Sequence, residues 1–233
     1  MVIDAPSFIN PVGERMLSLR SLQLSDITSL STLNQADIFE CIDLTDNDLI
    51  IVPKLPKLHR LKTLLLGRNR VRLFDDSFGS ELHNLETLSL VNNFIRTAKD
   101  LENLASLQQL RDLYLTGNPV TKLKNYRLWC VWRFPNLKVL DFEKVKDTER
   151  KKAKELFGSL EKPSELVDEI LTGEGEVEHI DEKENISKKD IEIKSNIQRL
   201  SKEQKEDLKK ELASAEKLVD IERIQGILER GYM

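Results

Sequence analysis

A nine-residue phrase occurs four times in phase between Phe39 and Asn118. Its copies read Phe39-x-x-Ile42-x-Leu44-x-x-Asn47, Leu61-x-x-Leu64-x-Leu66-x-x-Asn69, Leu85-x-x-Leu88-x-Leu90-x-x-Asn93 and Leu110-x-x-Leu113-x-Leu115-x-x-Asn118. They begin 22, 24 and 25 residues apart. A period of that length means one supersecondary unit per copy. A unit so short cannot bury its apolar face alone, so the copies must stack. The alternation Leu64-x-Leu66 is a short strand with one face buried, and stacked copies of it run parallel. The asparagine just past the strand carries two donors and one acceptor. It can serve backbone groups that a tight turn leaves unpaired.

The pattern is that of the leucine-rich repeat. Between copies, apolar residues recur at every third position: Leu49, Val52, Leu55, Leu58 and Leu61 after Asn47, and Ile95, Ala98, Leu101, Leu104, Leu107 and Leu110 after Asn93. This spacing predicts a 3-10 or irregular helical return, and the segment resembles the SDS22-like subclass of 22-residue repeats. The expected fold is an α/β leucine-rich repeat solenoid, a curved parallel sheet with a concave strand face, a convex helical face and a cap at each end.

The flanks divide by composition. Residues 1–37 are expected to form an N-terminal cap, with Leu19-x-x-Leu22-x-Leu24 as a degenerate first repeat that has Ile27 where asparagine is due. Terminal repeats depart from the consensus because they also meet water. Residues 38–120 are the regular repeats. Residues 121–160 read as the C-terminal cap. Tyr126-Arg127, Pro135, Leu137 and Leu140-Asp141 follow the cap motif Y-R-x7-P-x-L-x-x-L-D, and Leu137-x-x-Leu140-x-Phe142 is a final strand. Trp129 and Trp132 close the core, and Asp147 N-caps a helix to about Phe157. Residues 161–195 hold a short helix begun by Pro163-Ser164 and then an acidic linker too poor in apolar side chains to order itself. Residues 196–233 return to helical spacing, with Leu208 and Leu212 on one stripe and Leu218, Ile221, Ile224 and Leu228 on another. Such a short helical pair needs a surface to pack on.

Catalytic signatures do not emerge. His59, His83 and His179 are isolated, and Asp75-Asp76 read as a polar loop. Neither a glycine-rich phosphate loop nor a nucleophile elbow is present, and no residues stand at metal-ligand spacing. The chain is expected to be no enzyme and to carry no cofactor or metal. Cys41 and Cys130 lack the cysteine-rich flanks of extracellular repeat proteins and read as free thiols in a reducing compartment. With no leader-like start and no 18-residue apolar run, a soluble intracellular protein is expected.

Binding is the remaining class. The net charge of −4 comes wholly from residues 173–233, which hold 12 Lys and Arg against 16 Asp and Glu; residues 1–172 hold 24 of each. From Leu49 to Phe74 there are seven basic residues and no acidic one: Lys54, Lys57, Arg60, Lys62, Arg68, Arg70 and Arg72. Two readings stay open. The run is a solvated face with counter-charges from neighbouring repeats, or it contacts phosphates or an acidic partner. No aromatic residue interleaves with it, so a nucleic acid would be gripped by its backbone.

The residue between the two strand leucines points to the concave face. These are Gln23, Asp43, Leu65, Ser89, Tyr114 and Asp141, flanked by Cys41, Thr63, Thr87 and Asp112, and one turn further by Thr45, Arg68, Asn92 and Thr116. Leu65 and Tyr114 read either as exposed anchors or as residues packed on their neighbours. Asp43, Asp112 and Asp141 suit a basic helix.

Arg60-Leu-Lys-Thr-Leu-Leu-Leu66, Gly117-Asn-Pro-Val120, Asn125-Tyr-Arg127, and Val139-Leu-Asp-Phe142 with Lys144-Val-Lys146 resemble the A-prime family of the U2 small nuclear ribonucleoprotein. So does the tail from Leu212-Ala-Ser-Ala-Glu to Ile224-Gln-Gly-Ile-Leu228. The resemblance spans roughly residues 15–160 and 197–231. It implies a nuclear, non-catalytic role in pre-mRNA splicing. The implied partners are an RRM protein of the B-double-prime type and a stem-loop of U2 small nuclear RNA, with other spliceosomal proteins reached through the C-terminal helices. It implies that a helix of the RRM domain lies on the concave face, across Cys41, Asp43, Thr63, Leu65, Ser89, Asn92, Asp112 and Tyr114. Lys62, Arg68 and Arg70 are the RNA candidates. A repeat adaptor of the SDS22 type, regulating a phosphatase or a cytoskeletal motor, is the alternative; it leaves the cap extension and the tail unexplained.

Overall fold

The computed structural model describes residues 5–27 and 37–172. The described residues fall in the first of two units, Met1–Glu178. The linker from 173 and the expected helical pair at 196–233 lie outside the described residues.

The first unit is built on an eight-stranded sheet. Six strands run parallel: β2 (Arg15–Ser18), β3 (Cys41–Asp43), β5 (Thr63–Leu65), β7 (Thr87–Ser89), β8 (Asp112–Tyr114) and β9 (Val139–Leu140). An antiparallel strand closes each end, β1 (Ser7–Ile9) on β2 and β10 (Glu143–Lys144) on β9. The register puts equivalent repeat positions side by side. Leu17, Ile42, Leu64, Leu88, Leu113 and Leu140 form one buried row.

Buried asparagines bind each repeat to the one before it. The Asn69 Nδ2 donates to its own Leu66 carbonyl at 3.0 Å and to Leu44 of the preceding repeat at 2.9 Å, and its Oδ1 accepts the Leu49 N–H at 3.1 Å. Asn93 does the same for Leu90, Leu66 and Val71, and Asn118 for Leu115, Leu90 and Ile95. Their relative exposures of 2–4% leave no water to replace these bonds. Just before each asparagine the chain turns through the left-handed region, at Asp46, Arg68, Asn92 and Gly117, and Ser21 does the same before Leu22. Glycine suits position 117 on two counts: its φ is +81, and a Cβ there would lie 2.1 Å from Asn92 Oδ1, so the Asn92 amide would have to shift.

This ladder corrects the phase of the first repeat. Asn47 Oδ1 accepts the N–H groups of Leu22 and Leu24, and its Nδ2 donates to the Leu19 carbonyl. Leu17 and Leu19 therefore hold the strand positions. Leu22, 49% exposed, stands where asparagine is due. Gln23 lies in the turn with φ +55 and is not on the strand face.

The returns bury the expected apolar residues, from Leu49 to Leu61 and from Ile95 to Leu110. Among the described residues three are 3-10 turns, Phe78–Glu81, Lys99–Leu104 and Pro119–Lys122. In the first two repeats, however, the returns pair with each other as a second parallel sheet, β4 (Ile51–Val52) with β6 (Leu73–Phe74). β-Branched Ile51 and Val52 favour extended backbone there over a helical turn.

The C-terminal cap ties its own motif together. Helix α1 (Tyr126–Arg133) buries Trp129 against Phe134, and Trp132 stacks on Phe157 while donating to the Gly158 carbonyl. Arg150 of α2 (Asp147–Phe157) donates to the carbonyls of Pro135 and Leu137. Lys146, not Asp147, is the capping residue, and its N–H donates to the Glu149 carboxylate. The Arg127 guanidinium holds the Glu149 carboxyl below its ordinary range. Helix α3 (Glu165–Thr172) follows Ser164, whose hydroxyl donates to the Leu156 carbonyl.

Replacing Asn93 by alanine leaves the buried N–H of Val71 without its partner, while the carbonyls of Leu66 and Leu90 each keep one asparagine donor, Asn69 and Asn118. The expected loss is about 1–3 kcal/mol, read as a lower urea midpoint; an unchanged midpoint would exclude the ladder as a stabilising element.

Candidate functional site

The strand face opposite the core carries two rows. One runs Met16, Cys41, Thr63, Thr87, Asp112, Val139; the other runs Ser18, Asp43, Leu65, Ser89, Tyr114. The register brings Leu65, Ser89 and Tyr114 side by side, with Thr63, Thr87 and Asp112 beside them. All six are half-buried, as expected for side chains that stand up from a sheet and touch one another. Burial and the nearby Asp112 carboxylate push the Tyr114 phenol above its ordinary range.

Four residues expected on this face behave differently. Cys41 belongs to the row but is 1% exposed. The turn after β1 folds over it: Asn10 donates to Glu14, and Glu14 reaches past β3 to accept the Thr63 hydroxyl at 3.1 Å. Asp43 is also buried, with its carboxylate on the Thr45 N–H at 2.9 Å. Asp141 is consumed by the cap. It accepts the Leu115 N–H at 2.6 Å, the Thr116 hydroxyl at 3.2 Å and the Tyr126 hydroxyl at 2.8 Å. It thus takes the place of the strand carbonyl that a further repeat would present to Leu115. Asn92 lies in the exposed turn beside Gly117, at the sheet edge. The open face therefore presents Asp112 as its half-buried carboxylate.

The basic run is split between two edges. Lys62 stands just before β5, in a row of alternating sign formed by Arg15, Glu40, Lys62, Glu86 and Arg111. It lies 3.0 Å from Glu40, and Arg111 lies 3.0 Å from Glu86. This pairing raises the Lys62 pKa and lowers that of Glu40. Arg68 and Arg70 stand at the opposite edge, past the strand ends, so one phosphate cannot be shared with Lys62. Arg68 lies 3.2 Å from Asp46 and Arg70 3.4 Å from Asp48. Lys54 and Lys57 flank Glu81. Counter-charges from neighbouring repeats thus meet Lys54, Lys57, Lys62, Arg68 and Arg70.

The Arg68–Arg70 edge has a shallow open pocket of about 450 Å³, lined by Asp46, Asp48, Arg68, Arg70, Asn92 and Phe94 among others. Phe94 is 44% exposed, and the Arg72 guanidinium sits 5.7 Å from its ring centroid. An aromatic residue does accompany the cations here. It comes from the next repeat, which a search along one run of sequence misses.

A leucine-rich repeat family model matches residues 1–171. The U2 small nuclear ribonucleoprotein A′ of Debaryomyces hansenii is 41% identical over 233 residues, covering 99% of this chain and 96% of that protein. Its counterpart in Schizosaccharomyces pombe is 36% identical over 231 residues, covering 98% and 95%. This chain belongs to the U2 small nuclear ribonucleoprotein A′ family. Among solved structures, the crystal structure of the Drosophila melanogaster SNF/U2A′ complex holds a chain with a TM-score of 0.66 and 38% identity, covering 72% of this chain and 94% of that one.

Among the described residues of this A′-family chain no cluster of metal-ligating side chains occurs, and no helix is long and apolar enough to cross a membrane. Both cysteines are free and buried. Desolvation pushes the Cys41 thiol up to about 12 and the Cys130 thiol up as well. At pH 8 the Cys41 thiol is therefore almost wholly protonated and a poor nucleophile. Native protein is expected to leave both thiols unlabelled by a maleimide at that pH, and unfolded protein to label both. Rapid native labelling of Cys41 would show that the β1–β2 turn does not cover it.

Proposed function

We propose that this chain is a non-catalytic subunit of the U2 small nuclear ribonucleoprotein, acting in the nucleus in pre-mRNA splicing. In this reading its open sheet face holds a helix of an RRM protein of the B-double-prime type, and the pair binds a stem-loop of U2 small nuclear RNA. The observation that carries the reading is the A′ relationship along nearly the whole chain. The fly relative's complex with SNF supports a protein partner. The face supplies suitable chemistry: Leu65 and Tyr114 stand in one row with Ser89 between them, an apolar strip flanked by Thr63, Thr87 and Asp112. Cys41 and Asp43 belong to the same two rows but are buried, and Asn92 belongs to the edge. The stripes of residues 196–233 are the proposed contact for other spliceosomal proteins.

Affinity purification from nuclear extract, with bound RNA sequenced, tests the assembly. Recovery of U2 small nuclear RNA with an RRM protein is expected; recovery of a phosphatase or a motor without RNA would overturn the reading. Within the complex, Leu65→Arg places a charge in the middle of the strip and is expected to cost about 2 kcal/mol of partner affinity or more, with the melting temperature held. Full affinity in the folded variant would move the docking site off this face.

Arg68, Arg70 and Lys62 are the proposed RNA contacts. For Arg68 and Arg70 a phosphate must displace Asp46 and Asp48, which reduces the net gain. Arg68→Ala is expected to lower the slope of log affinity against log salt by about 0.7–0.9. An unchanged slope removes Arg68 from the interface.

A further inference from the structure

Phe142 stands out on two counts. Its ring is 70% exposed, and its backbone sits at φ +66, where a bulky side chain is an outlier. The turn is held there from both sides. Arg127 donates to the Leu140 carbonyl at 3.0 Å and to the Lys144 carbonyl at 3.3 Å. Asp141, itself at φ +49, is fixed by its bonds to Leu115, Thr116 and Tyr126. The result is a phenyl ring lying over Tyr114, with centroids 4.7 Å apart and planes tilted by 33°. Positive φ at two successive residues, in a turn this well bonded, points to a use for the bulky side chain it holds out.

Asp112 lies two residues before Tyr114 on the same face, and its carboxylate accepts the Thr87 hydroxyl at 3.3 Å. The chain's own nearby arginines are committed elsewhere, Arg111 to Glu86 and Arg127 to Glu149. We propose that Phe142, Tyr114 and Asp112 form a cation anchor, in which the docking helix of the partner lays an arginine or lysine side chain along the stacked rings and sets its charged head on Asp112. Ring faces attract a cation, and the attraction grows as water leaves. A purely apolar side chain in that place would desolvate Asp112 with no counter-charge. The anchor rests on the helix-docking reading above and names the chemistry of the side chain received.

The test uses the purified full chain with its RRM partner, titrated calorimetrically at low and high salt, with thermal melts of the free chain. Phe142→Asn removes the ring, and asparagine tolerates a left-handed backbone. The expected result is a melting temperature equal to or above wild type together with an affinity about ten-fold weaker. Asp112→Asn is expected to weaken binding at low salt and to flatten its salt dependence. Unchanged affinity for Phe142→Asn overturns the anchor, as does a lower melting temperature with affinity intact, which would make the ring a packing element. Wild-type affinity and salt response for Asp112→Asn exclude a cation. If the wild-type chain itself fails to bind the RRM partner, the docking reading fails first and the anchor with it.

Discussion

Each buried asparagine joins two repeats through a single amide. One end donates to carbonyls of its own strand and the preceding one, and the other accepts an N–H from the preceding return. The three bonds fix the rise from repeat to repeat and the rotation of each turn. Once these are set, every repeat position becomes a row: the leucines inside, the face residues outside, the left-handed turn residues along one edge. A leucine core alone would tolerate slippage between coils, because one leucine packs much like another. Buried amides do not, because a one-residue shift leaves their partners unpaired.

That alignment also organises the charges. Row partners of opposite sign meet at both edges, so the run of basic sequence from Leu49 to Phe74 becomes a set of ion pairs between adjacent repeats. These exposed pairs add little stability. They matter because a ligand that approaches either edge must compete with an internal carboxylate. Net charge along the sequence therefore overstates the field that the folded surface offers.

Much of this architecture was legible in the sequence because the repeat imposes it. The four phrases, the third-position apolar returns and the cap motif each correspond to a buried row or a bonded group. The first repeat was not, for a specific reason: leucines at 17, 19, 22 and 24 fit two phasings, and without an asparagine of its own only the reach of Asn47 decides between them. The burial of Cys41 depends on Glu14 reaching Thr63, 49 positions away. Asp141 fits the face pattern, yet its carboxylate ends the strand ladder. The exposure of Phe142 follows from a turn that Arg127 closes across the cap. These are contacts at long sequence separation, and periodicity carries no information about them.

The two ends of the sheet differ in kind from its middle. Inside, every repeat offers the same amide and the same strand edge on both sides, so an extra repeat inserted there would meet compatible neighbours. At the ends the chain doubles back: β1 reverses against β2, and β10 is two exposed charged residues, Glu143 and Lys144. A short, charged, reversed strand is a poor template for another molecule's strand. The caps therefore do more than cover leucines. They keep a structure whose interior could in principle be extended indefinitely from continuing across the boundary between one molecule and the next, which is the first step of fibre growth.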